Sequence, residues 1–111
     1  MSRRRLRVEW TDVAREDLRG IVTHQAQTNA DAARRVLAGV EQKAAPLKTS
    51  PMRGRFVLEL LTFQIRTYRE QIAPPYRIIY RFARNRVIVL GVFDGRRNLE
   101  DVLLDRLLRP S

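Results

Sequence analysis

The sequence predicts an α+β fold with an N-terminal strand, an antiparallel helix hairpin, an antiparallel three-strand meander and a short C-terminal helix. Apolar and polar residues alternate in Leu6–Trp10 and again in Tyr76–Phe82, which is typical of strands with one buried face. Between these segments, residues 13–47 keep the three-to-four spacing of amphipathic helices. A chain of 111 residues is long enough for one core, so we expect a single domain over residues 1–111.

Two helices are expected after the first strand. Thr11 is a suitable N-cap for a helix that continues to about Gln27. Asn29 can cap a second helix, whose apolar positions extend from Ala33 to Leu47. Because so short a connection leaves the helices no room to separate, they must pack antiparallel.

The second half of the chain is expected to form strands. Residues 55–60 and 65–72 are rich in β-branched and aromatic residues. Pro74 and Pro75 predict a turn before the Tyr76–Phe82 strand. The unbroken apolar run Val87–Phe93 is typical of a central strand that is covered on both faces.

A short amphipathic helix is expected at Leu99–Leu108. If the helices all lie on one face of the sheet, the other face meets solvent or a partner. The alternation of the Tyr76–Phe82 strand places Arg77 and Arg81 on that open face.

The charge of the chain indicates a polyanionic partner. There are 22 basic residues against 12 acidic ones, for a net charge of +10, and 20 of the basic residues are arginine. Residues 49–97, the segment with the strand patterns, hold ten basic and three acidic residues. Because arginine offers a permanently charged, planar fork to phosphates and carboxylates, we expect nucleic acid or an acidic protein to bind the sheet.

Five arginines in the strand-forming half are candidates for that contact: Arg69, Arg77, Arg81, Arg96 and Arg97. On adjacent strands they are positioned to converge on a concave anionic pocket, where they would bind phosphates and stabilise a phosphorane-like transition state. The alternative is a solvated basic face. Glu70 and Asp94 are candidates for a general base, but pairing with the arginines is the favoured interpretation.

Other chemistries have little support in the sequence. There is no cysteine and no glycine-rich phosphate loop, and His24 is the only histidine, so we expect no cofactor, no metal and a reducing, cytoplasmic location. The longest apolar run, Val87–Phe93, is too short to cross a membrane, and no membrane partner is expected. Tyr76, Tyr80 and Phe82 share one side of a strand and are interpreted as core residues rather than a base-stacking platform.

Several motifs together are typical of one known group of proteins. They are Val8-Glu9-Trp10-Thr11, Ala32-Ala33-Arg34-Arg35, Gly54-Arg55, Pro75-Tyr76-Arg77-Ile78-Ile79-Tyr80-Arg81 and Gly95-Arg96-Arg97. In these motifs, over nearly its full length, the chain resembles the RelE/ParE superfamily of type II toxin-antitoxin toxins. The resemblance implies the same α+β fold, and a toxin that arrests growth, serves plasmid stabilization and is neutralised by a cognate antitoxin.

The resemblance leaves two targets. RelE-like members cleave mRNA on the ribosome, and for such a ribonuclease Arg77 and Arg97 would be the catalytic residues. ParE-like members poison DNA gyrase. Leu103 occupies the position of the RelE-like C-terminal tyrosine, and the lysines before the second strand are missing, so the ParE branch is favoured and RNA cleavage is the alternative. Contact with operator DNA is expected only through the antitoxin, whose acidic or amphipathic tail would wrap the sheet and the helix hairpin.

Overall fold

The computed structural model describes residues 5–108, so residues 1–4 and 109–111 of the predicted domain lie outside the described residues. The strands are β1 (Arg7–Trp10), β2 (Arg55–Phe56), β3 (Tyr68–Ala73), β4 (Tyr76–Ala83) and β5 (Arg86–Asp94), and the α-helices are α1 (Asp12–Thr28), α2 (Ala30–Ala44), α3 (Leu58–Leu61) and α4 (Glu100–Leu108). One sheet has the strand order β1-β5-β4-β3-β2. β1 is parallel to β5, and the other neighbouring pairs are antiparallel. The predicted α+β fold is confirmed.

The front face of the sheet is covered by α1 and α2, as predicted. The Thr11 hydroxyl accepts a hydrogen bond from the Ala14 N–H, and the Asn29 side chain caps α2 by accepting from two backbone N–H groups. Tyr80 is fully buried in this core and Tyr76 is 5% exposed, which confirms their core placement, whereas Phe82 remains exposed. The front core consists of Ala14, Val40, Leu47, Ala73, Ile78, Tyr80, Val87 and Val89.

The back face of the sheet is covered as well, so the expectation that the helices lie on one face and leave the other to solvent or a partner is wrong. Helices α3 and α4 pack on it and enclose a second apolar cluster, made of Val57, Leu60, Ile79, Phe93, Leu99 and Leu103. Ile79 on β4 alternates with the front-face residues Ile78 and Tyr80, and it is fully buried. The physical reason is that the apolar side chains of β4 and β5 point to both faces, and each set needs a cover.

The segment 55–60 does not form the predicted strand beyond its first two residues. Val57 and Leu60 are both fully buried and lie three residues apart. A strand would place these two side chains on opposite faces, whereas one helical turn brings them to the same side. The local β-propensity of the segment is therefore overridden by the packing of α3 against the back face.

Tyr80 also fixes the loop that precedes β2. Its hydroxyl donates to the Pro51 carbonyl at 2.7 Å and accepts from the Gly54 N–H at 2.9 Å. A Cβ at Gly54 would lie 2.6 Å from both the Glu70 carbonyl oxygen and the Tyr80 hydroxyl oxygen, so glycine is required for this close approach. The loop therefore sits tightly against β3 and β4.

Within residues 5–108, none of the helices has the length and apolar character needed to traverse a lipid bilayer.

Candidate functional site

Arg77, a predicted catalytic and anion-binding residue, lies on the back face between two carboxylates. Both of its terminal nitrogens donate to Glu59 at 2.7 Å, in a bidentate pair, and its Nε donates to Glu70 at 2.6 Å. Glu70 also accepts from the Arg55 Nε at 2.7 Å. The Arg77 side chain is only 11% exposed and the Glu70 side chain is fully buried. We call Arg55, Glu59, Glu70 and Arg77 the back-face ion network.

Arg77 and Glu59 each stabilise the charged form of the other. Hydrogen bonding from Arg77 lowers the pKa of the Glu59 carboxyl below its ordinary value and outweighs the opposite effect of partial burial. The two carboxylates, Glu59 first, raise the pKa of Arg77 above its ordinary range. Two positive and two negative charges sum to zero, so the network presents no net charge to a ligand. The interpretation of Glu70 as an ion-pair partner is confirmed.

The predicted convergence of the five arginines on one open face is not what the structure has. Arg69 is opposite Tyr80 in the register and therefore belongs to the front face. It donates to the Gly54 carbonyl at 2.8 Å, and its guanidinium stacks 4.2 Å from the centroid of the Phe56 ring. Arg81 is on the back face, opposite Tyr68 and Ile88, and makes no ion pair with any residue from 5 to 108.

Arg96 and Arg97 are brought together in a groove between α1 and the loop that leads to α4. We call this the α1–α4 groove; its cavity volume is about 610 Å³. Apolar side chains form part of its wall, among them Ile21, Val92 and Val102. The polar and charged residues that line it are Glu16, Asp17, His24, Gln25, Tyr76, Asp94, Arg96, Arg97 and Asn98.

The acidic side chains of the α1–α4 groove are paired with cations. Asp94 bonds Arg96 through both carboxylate oxygens, and Arg96 lowers the pKa of Asp94 to about 2. Glu16 pairs with Arg19 at 3.1 Å. Among the groove residues that the structure describes, Arg97 is exposed and makes no ion pair with a carboxylate. The groove therefore presents one uncompensated guanidinium beside an apolar wall, and the pairing interpretation of Asp94 is confirmed.

His24 is exposed on the α1 side of the same groove. In the part of the chain from residue 5 to residue 108, no cluster of three histidine or acidic side chains is arranged to hold a metal ion. Arg97 offers an exposed guanidinium at this groove, and guanidinium groups suit phosphates and carboxylates.

Sequence reasoning missed two of the important pairs. Glu59 is an Arg77 partner because the α3 turn directs it back toward β4, and the strand prediction for residues 55–60 concealed this. Asp17 accepts from the Val92 N–H at 3.1 Å and from the Arg106 guanidinium at 2.9 Å, so it joins α1, β5 and α4. No local signal could reveal a pair that is separated by 89 residues.

Another cavity lies where Trp10 of β1 meets the helix hairpin. It has a volume of about 380 Å³ and is lined by Trp10, Leu18, Val22 and Leu37, with Arg15 and Arg19 also in its wall. We call it the Trp10 groove. Leu37 is 38% exposed, so an apolar surface is available to a partner and is bordered by positive charge.

Solved structures from toxin-antitoxin systems share this fold, among them one from P. aeruginosa and one from Mycobacterium tuberculosis. The chromosomal ParDE toxin-antitoxin system from P. aeruginosa matches with a TM-score of 0.67 and 16% identity, covering 82% of this chain and 97% of that one. The toxin-antitoxin complex RelBE2 from Mycobacterium tuberculosis matches with a TM-score of 0.54 and 22% identity, covering 81% of this chain and 91% of that one. These likenesses show that the chain has a fold found in toxin-antitoxin systems.

A sequence profile gives the family within this class. The profile of the ParE toxin of the type II toxin-antitoxin system, parDE, matches residues 8–99. The chain therefore belongs to the ParE toxin family of type II toxin-antitoxin systems. No curated protein matches it in sequence.

Proposed function

We propose that this chain is a toxin that arrests growth by binding and poisoning DNA gyrase, and that a cognate antitoxin neutralises it. The main observation in favour of gyrase over mRNA as the target is that Arg77 is paired with Glu59 and Glu70. A ribonuclease of this superfamily would need that guanidinium on the scissile phosphate, but here Glu59 and Glu70 already occupy it. Releasing it would leave the buried Glu70 carboxylate with Arg55 as its remaining partner, a side chain that is 59% exposed, and this is unfavourable for a carboxylate that is out of water.

Leu103 supports the same choice. It stands where RelE-like enzymes carry a tyrosine, and it is fully buried in the back-face core. A side chain in that position serves packing and has no access to RNA. A toxin without these two groups acts through its surface, as an inhibitor that binds a protein target.

The second candidate function is mRNA cleavage on the ribosome. It is favoured by Arg97, the other arginine implied by the superfamily resemblance, which is exposed and without a carboxylate partner among residues 5–108. In that case Arg97 would bind the scissile phosphate, and the role predicted for Arg77 would have to come from another side chain.

The antitoxin is proposed to use the Trp10 groove and the α1–α4 groove. An amphipathic segment with acidic flanks fits the first, since Leu37 and Trp10 offer apolar area and Arg15 borders it. An acidic side chain of the same tail would pair with Arg97 in the second. The parDE family and the two toxin-antitoxin complexes of the same fold support such a partner.

The deciding experiment adds the purified chain to two reactions. In the first, gyrase supercoils relaxed plasmid; inhibited supercoiling with accumulation of gyrase-linked DNA breaks is expected. In the second, ribosomes translate a defined mRNA, and primer extension should find the message intact. Position-specific mRNA cuts together with normal supercoiling would reject the gyrase proposal and establish the ribonuclease.

A separate experiment tests whether the antitoxin binds in the Trp10 groove. Leu37→Glu places a negative charge in the Trp10 groove and should weaken binding of the antitoxin encoded beside the toxin gene, while gyrase inhibition persists. Val13→Glu is the matched control, because Val13 is 48% exposed on the same helix hairpin but does not line that groove. Equal antitoxin affinity for the two variants would exclude the Trp10 groove as the antitoxin-binding surface.

A further inference from the structure

One end of the back face carries a cluster of arginines that the proposed function does not use. Arg7 on β1 lies directly opposite Arg86 on β5, and Arg81 lies on β4, one strand further along. Arg84 is in the turn that joins β4 to β5, where its φ of 32° is in the left-handed region. We call Arg7, Arg81, Arg84 and Arg86 the basic end.

Four guanidiniums at the basic end face one carboxylate. Glu9 pairs with Arg86 at 2.9 Å, and both side chains remain substantially exposed. Arg7, Arg81 and Arg84 form no ion pair with any residue of the described chain, 5–108. Like charges in directly opposite positions are unfavourable in a sheet, and at the Arg7–Arg86 position Glu9 pairs only with Arg86.

Elsewhere on the back face, arginines are paired with carboxylates. Arg77 is neutralised by Glu59 and Glu70, and Arg106 on α4 is bonded to Asp17. The same surface is thus divided into one part where each of these cations has a carboxylate and an end where, among residues 5–108, positive charge is in excess. This division is what a separate anion-binding surface would require.

The surface chemistry of the basic end favours a phosphate backbone over an amphipathic peptide. Ile88, between Arg81 and Glu9 in the register, is only 9% exposed, and Ala83 opposite Arg86 is small. The surface therefore offers guanidinium donors but little apolar area for a peptide side chain. Phosphate contacts need no apolar groove, because they depend on charge and hydrogen bonds alone.

The spacing favours a duplex over a single strand. Arg81 lies two strands from Arg7 and is offset from it by two residues, because Arg81 is opposite Ile88 and Ile88 is opposite Glu9. The two Cα atoms are therefore about 12 Å apart. This is comparable with the widths of the B-DNA grooves, about 6 and 12 Å, so guanidiniums at the two sides of the basic end can reach phosphates of both strands. We propose that the basic end binds the backbone of duplex DNA directly and without sequence preference, in contrast to operator contact through the antitoxin alone.

The test uses the purified full chain and a fluorescent duplex of arbitrary sequence, about 20 base pairs long, in anisotropy titrations at several salt concentrations. The variant Arg7→Gln/Arg81→Gln removes the two sides of the basic end. The control Arg35→Gln/Arg53→Gln removes the same charge from exposed residues outside it. Thermal melting by circular dichroism verifies that both variants are folded.

The basic-end variant should bind about tenfold more weakly at low salt, and its slope of log K against log salt should fall by about 2, since each lost phosphate contact removes about 0.9. The control should keep the wild-type slope. Equal losses in the two variants, or no binding of duplex by the wild type, would overturn the proposal. So would tighter binding of single-stranded RNA or polyglutamate than of the duplex. Because the assay contains no gyrase, its outcome is independent of the gyrase proposal.

Discussion

Replacing Glu70 with glutamine is the most informative change to the back-face ion network. The substitution keeps the size of the side chain and removes its charge from a fully buried position. Arg77 then retains only Glu59, and Arg55 loses its carboxylate. The network changes from neutral to one net positive charge beneath α3.

The loss in free energy of unfolding expected for Glu70→Gln follows from the two hydrogen bonds that Glu70 accepts. The bond from Arg77 is nearly out of water, since that side chain is 11% exposed, and a charged bond of this kind contributes about 2 kcal/mol. The bond from Arg55 is screened because its side chain is 59% exposed, and it contributes under about 1 kcal/mol. Glutamine keeps one neutral acceptor, so the free energy of unfolding should fall by about 2 kcal/mol.

Urea denaturation followed by circular dichroism measures this loss. Glu16→Gln is the matched control, because Glu16 makes an ion pair with Arg19 whose two side chains are 65% and 73% exposed. It should change the free energy of unfolding by less than about 0.5 kcal/mol. If Glu70→Gln is as stable as this control, the ion network is not a closed and desolvated unit, and the argument against Arg77 as a phosphate-binding residue fails with it.

Three further predictions concern protonation and the buried tyrosine. The pKa of Glu59 is lowered in the folded state, so its contribution to stability is complete above its ordinary pKa of 4.5 and is lost as the pH falls below that value. Between about pH 6 and pH 3, the urea midpoint of Glu59→Gln should therefore fall less than that of the wild type. Tyr80→Phe leaves the Gly54 N–H without its acceptor and should cost about 1–3 kcal/mol in urea denaturation, with faster hydrogen exchange of that amide; unchanged exchange would contradict the bond. Carbon-detected NMR should find Asp94 titrating at about 2, and Arg96→Gln should return it toward 3.8; an unmoved titration would remove Arg96 as the cause.

Local sequence patterns were sufficient for most of the elements. The caps at Thr11 and Asn29, the strand at Tyr76–Phe82 and the C-terminal helix depend on neighbouring residues, since capping and side-chain periodicity are short-range effects. The segment 55–60 was mispredicted because its β-propensity is weaker than the packing of Val57 and Leu60 against α4, which lies forty residues away in the chain.

The candidate site, unlike the secondary structure, depends mainly on long-range contacts. Composition revealed an excess of arginine, but whether a given arginine is available depends on which carboxylate reaches it. Glu59 comes to Arg77 through the α3 turn, and Asp17 comes to Arg106 across the sheet edge. Such long-range pairs have no signature in a single sequence.

The amino-acid sequence by itself determined the order of the elements, the net charge of +10 and the superfamily, since these depend on composition, periodicity and motifs. The tertiary structure alone decided that both faces of the sheet are covered and that Arg77 is neutralised. It also decided that, among residues 5–108, the guanidiniums of Arg7, Arg81, Arg84 and Arg97 have no carboxylate partner. The reason is physical: burial and ion pairing are properties of side chains brought together by folding, and a charge is available to a partner only where the fold leaves it without one.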